Sequence, residues 1–141
     1  MPLLKIDLPD VANTAFVTLH CRALESQSAA PILDDPKAEA LVASLKLSLE
    51  RSDLDLHRSL ARGEVDEAMQ LYVALRSRHF DRYARDFLEA NADGTVVNLG
   101  CGLDTLRWRL DSDRIIDLDL PEMVGLRTEL LRDEAIAYDV L

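Results

Sequence analysis

The hydrophobic pattern changes its period once along this chain. Over about the first ninety residues apolar positions recur every three or four residues, whereas the last fifty or so carry short β-branched runs broken by turn residues. The change falls at Asn91-Ala92-Asp93-Gly94. Before it, Val11, Ala15, Leu19 and Ala23 predict a helix over 10–27, ended by Pro31. Asp35-Pro36 places an N-cap residue before a proline at the first helical position, and Leu41, Leu45 and Leu49 share one face of the helix it opens. The charged stretch 51–63 is weakly periodic and predicts a loop or a short broken helix. From 64 to 90, Met69, Tyr72, Leu75 or Arg76, Phe80, Tyr83 and Phe87 recur at helical spacing, and 91–94 supply the stop.

Beyond the break, Thr95-Val96-Val97-Asn98-Leu99 predicts a buried strand that runs into a tight turn, Gly100-Cys101-Gly102. A helix is expected over 104–110, a second strand over 115–118, and a helix opened by Pro121 and running to about 132. A third strand is expected from 135 to 141. Strands alternating with helices imply an α/β fold with a parallel, doubly wound sheet, preceded by a helical cap. The division is 1–93 for the cap region and 94–141 for the start of the α/β part.

Composition narrows the choice of partners. The 141 residues, 48% of them hydrophobic, suit one globular domain. Sixteen Lys and Arg against 26 Asp and Glu give a net charge of −10, the wrong sign for neutralising phosphates, so nucleic acid is not an expected partner. The apolar runs fall far short of the roughly 20 residues that cross a bilayer, and the acids in the first ten residues do not suit a signal peptide. No membrane association and a cytoplasmic location are expected. Cys21 and Cys101 have no CxxC or paired-histidine spacing, so reduced thiols and no metal site are expected.

The chemistry concentrates after the first strand. A Gly100-x-Gly102 turn lets backbone approach a ligand and presents N–H groups at a helix start. Asp119 follows Gly100 by 19 residues, at the end of the second strand, where a carboxylate can accept both ribose hydroxyls of an adenosine cofactor; Asp117 is the alternative. A dinucleotide site calls for a third glycine, and Thr105 stands there instead, which disfavours a nicotinamide-dependent reductase. S-adenosylmethionine, with no phosphates and a positive sulfonium, suits a mouth expected to be lined by Asp104, Asp117 and Asp119.

The segment from Val96 to Thr105 (VVNLGCGLDT), with Trp108-Arg109-Leu110 and Asp117-Leu118-Asp119-Leu120-Pro121-Glu122, resembles the leucine carboxyl methyltransferase family, in its bacterial branch of tetracenomycin-type polyketide O-methyltransferases. Arg22-Ala23-Leu24-Glu25-Ser26, Ile32-Leu33-Asp34-Asp35-Pro36-Lys37-Ala38 and Arg76-Ser77-Arg78-His79-Phe80-Asp81 resemble that branch in the same order. The resemblance implies the first part of a Rossmann-like class I methyltransferase sheet, capped by helices, with S-adenosylmethionine as cofactor and a small-molecule acceptor. It implies that Arg76 pairs with the cofactor carboxylate and that Arg22 is a second such partner. Gly100 and its neighbours Asn98, Cys101, Gly102 and Asp104 would hold the methionine portion, and Asp119 the ribose. Asp139 falls where the family has a strand-end segment touching adenine, and Leu106 departs from the arginine common after Asp-Thr.

Methyl transfer to a carboxylate or hydroxyl oxygen is then the expected reaction, with no catalytic base assigned. The competing expectation is a truncated or degenerate member that binds the cofactor or a partner without catalysis. The family sheet has seven strands, and this chain reaches about the third, so the first strand would keep an unpaired edge open to self-association. His79 is expected to be structural, Arg78 solvated, Trp108 and Tyr83 in the core, and Cys101 present for its size.

Overall fold

The computed structural model describes Leu4, Ile6, residues 10–132 and the backbone of 138–140. Four helices come first: α1 (Asp10–Ser26), α2 (Pro36–Glu50), α3 (Asp55–Ala61) and α4 (Glu67–Ala90). Strand β1 (Val96–Leu99), α5 (Leu106–Leu110), β2 (Ile115–Asp119), α6 (Pro121–Leu130) and β3 (Tyr138–Val140) follow. All three strands are parallel, in the order β1-β2-β3, with Asn98 opposite Asp117 and Leu99 opposite Leu118.

Local chemistry accounts for most of the boundaries. Asp35 caps α2 by accepting from the Ala38 N–H at 3.0 Å, with Pro36 at the first helical position, as expected. The charged stretch after α2 contains one short helix, α3. Helix α4 begins three residues later than its periodicity suggests, because Asp66 accepts from the Met69 N–H and so fixes the first turn. Helix α5 begins after Thr105 instead of at Asp104. The third strand is described over Tyr138–Val140; 135–137 and 141, where it is also expected, lie outside the described residues.

One core joins the helical region to the α/β part. Phe16, Leu19, Leu41, Leu45 and Leu49 from α1 and α2 pack in the same buried cluster as Leu103, Met123 and Leu126. The C-terminal end of α4 is tied down as well, since the Arg114 guanidinium donates to the carbonyls of Leu88, Asn91, Ala92 and Gly94.

Two expectations about burial are corrected. β1 alternates between half-buried and exposed positions instead of being buried, with Val97 49% and Leu99 72% exposed. It is the edge strand, pairing with β2 alone among the described residues. Helix α4 buries Val73, Ala74, Asp81, Ala84 and Leu88, while Tyr72, Phe80, Tyr83 and Phe87 stay exposed. Tyr83, expected in the core, is 61% exposed. The strong aromatic periodicity of this helix therefore marks its open face.

Candidate functional site

The C-terminal ends of β1 and β2 open on the same edge of the parallel sheet, where sheets of this kind hold ligands. β1 leads into Gly100 (φ +62°) and Gly102 (φ +51°), both in the left-handed region that other residues adopt only with strain. Around Gly100 a side chain would meet nothing within 4 Å, so the turn offers open backbone there. A Cβ on Gly102 would stand 3.3 Å from Cβ of Ala15, because α1 closes directly over the turn.

Several groups fix that turn. The Cys101 N–H donates to the Leu118 carbonyl (3.1 Å), and the Gly102 N–H donates to Oδ2 of Asp119 (2.6 Å). The Leu120 N–H reaches Oδ1 of the same carboxylate (2.7 Å), and each oxygen keeps a further lone pair. Arg127, fully buried, donates through Nη1 to the carbonyls of Gly102 (2.9 Å) and Asp104 (2.8 Å) and through Nη2 to Asp117 (2.8 Å). Asp117 is 2% exposed and neutralised by this pair, so it is neither at the mouth nor a rival to Asp119 for a ribose.

A cleft of about 610 Å³ lies between α4 and β1, within the range of small-ligand sites. Arg22, Arg76, Asn98, Gly100, Cys101 and Asp104 all line it; Gly102 and Asp119 do not. Phe80, Tyr83, Phe87, Val97 and Leu99 add apolar surface to the same lining. Tyr83 is thus a cleft wall. His79 is not in that lining and packs edge-on against Tyr83 at 4.7 Å.

Charge along the cleft is highly ordered. Asp104 accepts from Arg109 Nη1 at 2.9 Å on Oδ1 and from Asn98 Nδ2 at 3.2 Å on Oδ2. Burial would raise its pKa, but the charges of Arg109 and Arg22 outweigh that and hold it at about 2, so the group is ionised. Arg109 itself lies flat against Asp81 in a two-point contact, Nε to Oδ2 at 2.7 Å and Nη2 to Oδ1 at 2.8 Å. Burial opposes its charge, and the bond to Asp81 more than restores it. Arg22 is 4% exposed and engaged by Asp35 (3.2 Å) and the Leu103 carbonyl (2.7 Å), so it is less free for a ligand than expected. Arg76 is exposed, with its guanidinium 5.7 Å from the Phe80 ring and no ion pair among the described residues. Burial pushes the Cys101 thiol up to about 12, which leaves it un-ionised and unsuited to nucleophilic attack.

Sequence reasoning missed Asp35 as a buried counter-ion, along with Asp81, Arg109 and Arg127. Asp35, Asp81 and Arg109 stand in motifs already singled out and Arg127 on the helix after the last of them, but nothing in their spacing indicates which acid meets which arginine. The side chain of Asp139 lies outside the described residues. Among the described residues no cluster of His, Cys, Asp or Glu could hold a metal, and no helix is long and apolar enough to cross a membrane.

A parallel sheet with a left-handed glycine turn after its first strand, and a carboxylate at the end of its second bound to that turn, defines the α/β class that takes nucleoside-containing ligands. Comparison with known proteins narrows this. The leucine carboxyl methyltransferase profile matches residues 15–139, and the chain belongs to that family. It is 35% identical to the tetracenomycin polyketide synthesis O-methyltransferase TcmP of Streptomyces glaucescens, over 89% of this chain and 43% of that protein. It is 28% identical to the S-adenosyl-L-methionine-dependent methyltransferase dpfgK of Gibberella zeae, over 93% of the chain and 44% of that protein. A putative S-adenosyl-L-methionine-dependent methyltransferase of Mycolicibacterium smegmatis is 33% identical over 87% and 43%. The chain spans less than half the length of these relatives.

Proposed function

We propose that the cleft binds S-adenosylmethionine and that the protein serves transfer of its methyl group to a carboxylate or hydroxyl oxygen of a small, polyketide-like acceptor. The observation that carries the reading is the pairing of opposite charges across one cleft beside the glycine turn. Arg76, exposed and without an ion pair among the described residues, suits the ligand's α-carboxylate, and ionised Asp104 suits its ammonium. Asn98, Gly100 and Cys101 border the space between them. Asp119, still able to accept two hydrogen bonds, is the ribose acceptor, and Gly102 holds it in place. Arg22 acts behind Asp104 as a supporting charge, its Nε 4.0 Å from Oδ1.

The bound cofactor supplies an electrophilic methyl on a sulfonium. The chain's own contribution is to bind and orient it, with the apolar residues of the lining limiting water around it. The cap of 1–93 over the first strands of a doubly wound sheet, and a cytoplasmic location, belong to the same reading. Free Cys21 and Cys101 agree with a reducing compartment. The open edge of β1, with Val97 and Leu99 exposed, favours self-association of the chain.

Titration calorimetry tests the binding step. S-adenosylhomocysteine is expected to bind and NAD is not. Asp119→Ala is expected to weaken S-adenosylhomocysteine by about 1–3 kcal/mol. Binding of NAD alone, or no binding of either, overturns the reading.

A further inference from the structure

Asp81 belongs to no expected site, yet it is a buried carboxylate facing the cleft from α4, the helix that carries Arg76. Its two oxygens occupy the whole Nε–Nη2 edge of Arg109. Its Nη1 serves other partners and is shared among Asp35 (3.0 Å), Thr105 Oγ1 (2.8 Å) and Asp104 (2.9 Å). In this orientation Asp104 receives a single hydrogen bond from Arg109, on Oδ1, which also accepts from the Thr105 N–H (2.7 Å), and among the described residues its Oδ2 is held by Asn98 alone.

The charges of the cluster follow the same logic. Arg22 and Arg109 contribute two positive charges, against three negative charges from Asp35, Asp81 and Asp104. The side chains of Asp35 and Asp81 are 0% and 8% exposed, whereas that of Asp104 is 26% exposed. The one surplus negative charge thus reaches the cleft at Asp104.

We propose that Asp81 is a positioning residue: by clamping the Nε–Nη2 edge of Arg109 it holds the guanidinium in the orientation that gives Asp104 one hydrogen bond and keeps Asp104 available to the ammonium of an α-amino-acid ligand. The ammonium role rests on the reading of the cleft given above. Without the Asp81 charge, the freed edge of Arg109 turns onto Asp104, the surplus charge vanishes, and the cleft loses its cation site while keeping its shape.

The test compares wild type, Asp81→Asn and Asp81→Glu with two ligands, S-adenosylhomocysteine and 5′-methylthioadenosine, the second of which lacks the amino-acid end. Asp81→Asn is expected to lose about tenfold in affinity for S-adenosylhomocysteine and to bind 5′-methylthioadenosine as wild type does, with Asp81→Glu recovering most of the loss. An equal loss for both ligands, or none for either, overturns the proposal. If wild type binds neither nucleoside, the proposed function fails, and the clamp is read separately from the Arg109 Nε–H resonance of the ligand-free protein. Protection from exchange that disappears in Asp81→Asn supports the clamp; no protection in wild type overturns it.

Discussion

Buried histidines and arginines carry much of the local order. His20 donates from Nδ1 to the Phe16 carbonyl at 2.7 Å, and its buried Nε2 has no partner among the described residues. His57 bonds Asn13 through Nε2 (2.9 Å) and Ser52 through Nδ1 (2.7 Å), and packs edge-on against Phe16. Burial lowers the pKa of both rings, so the folded state resists protons that the unfolded chain accepts. Stability is then full above the ordinary histidine value of 6.5 and falls as the pH drops below it, before the carboxylates titrate. Urea denaturation is expected to give a lower midpoint at pH 5 than at pH 7.5, and the double variant His20→Gln, His57→Gln is expected to flatten that slope. An unchanged midpoint in wild type would show that neither ring titrates differently on folding.

At the level of elements, β1 and α4 leave the largest contrast between composition and burial. β1 is an edge with Leu99 72% exposed, and α4 leaves Phe80, Tyr83 and Phe87 open beside it. Such an edge pairs readily with a second copy. Sedimentation velocity is expected to show a dimer that Leu99→Lys converts to a monomer with unchanged circular dichroism; a wild-type chain monomeric at all concentrations contradicts edge pairing. Element positions were legible in the sequence because caps and breakers act locally: Asp35-Pro36 started α2, and 91–94 stopped α4. Which face is buried was not, since Tyr83 and Val97 have the side chains of core residues, and their exposure depends on what lies across the sheet edge. The site divides the same way. The glycine turn and Asp119 are a local pattern, whereas the Asp81–Arg109 clamp joins residues 28 positions apart and leaves no periodic trace.

For the whole molecule, one buried cluster joins α1 and α2 to Leu103 and α6, and the cleft is walled by α4 on one side and β1 on the other. Its opposed charges match an amino-acid end, and the adjoining turn and Asp119 match a nucleoside. The chain's net charge of −10 also favours a cationic sulfonium over a phosphate-rich ligand. Backbone amide mapping during addition of S-adenosylhomocysteine tests this placement most directly. The account predicts shifts concentrated at 98–104, Asp119 and Arg76; shifts confined to other surfaces, or none at saturating ligand, would contradict it.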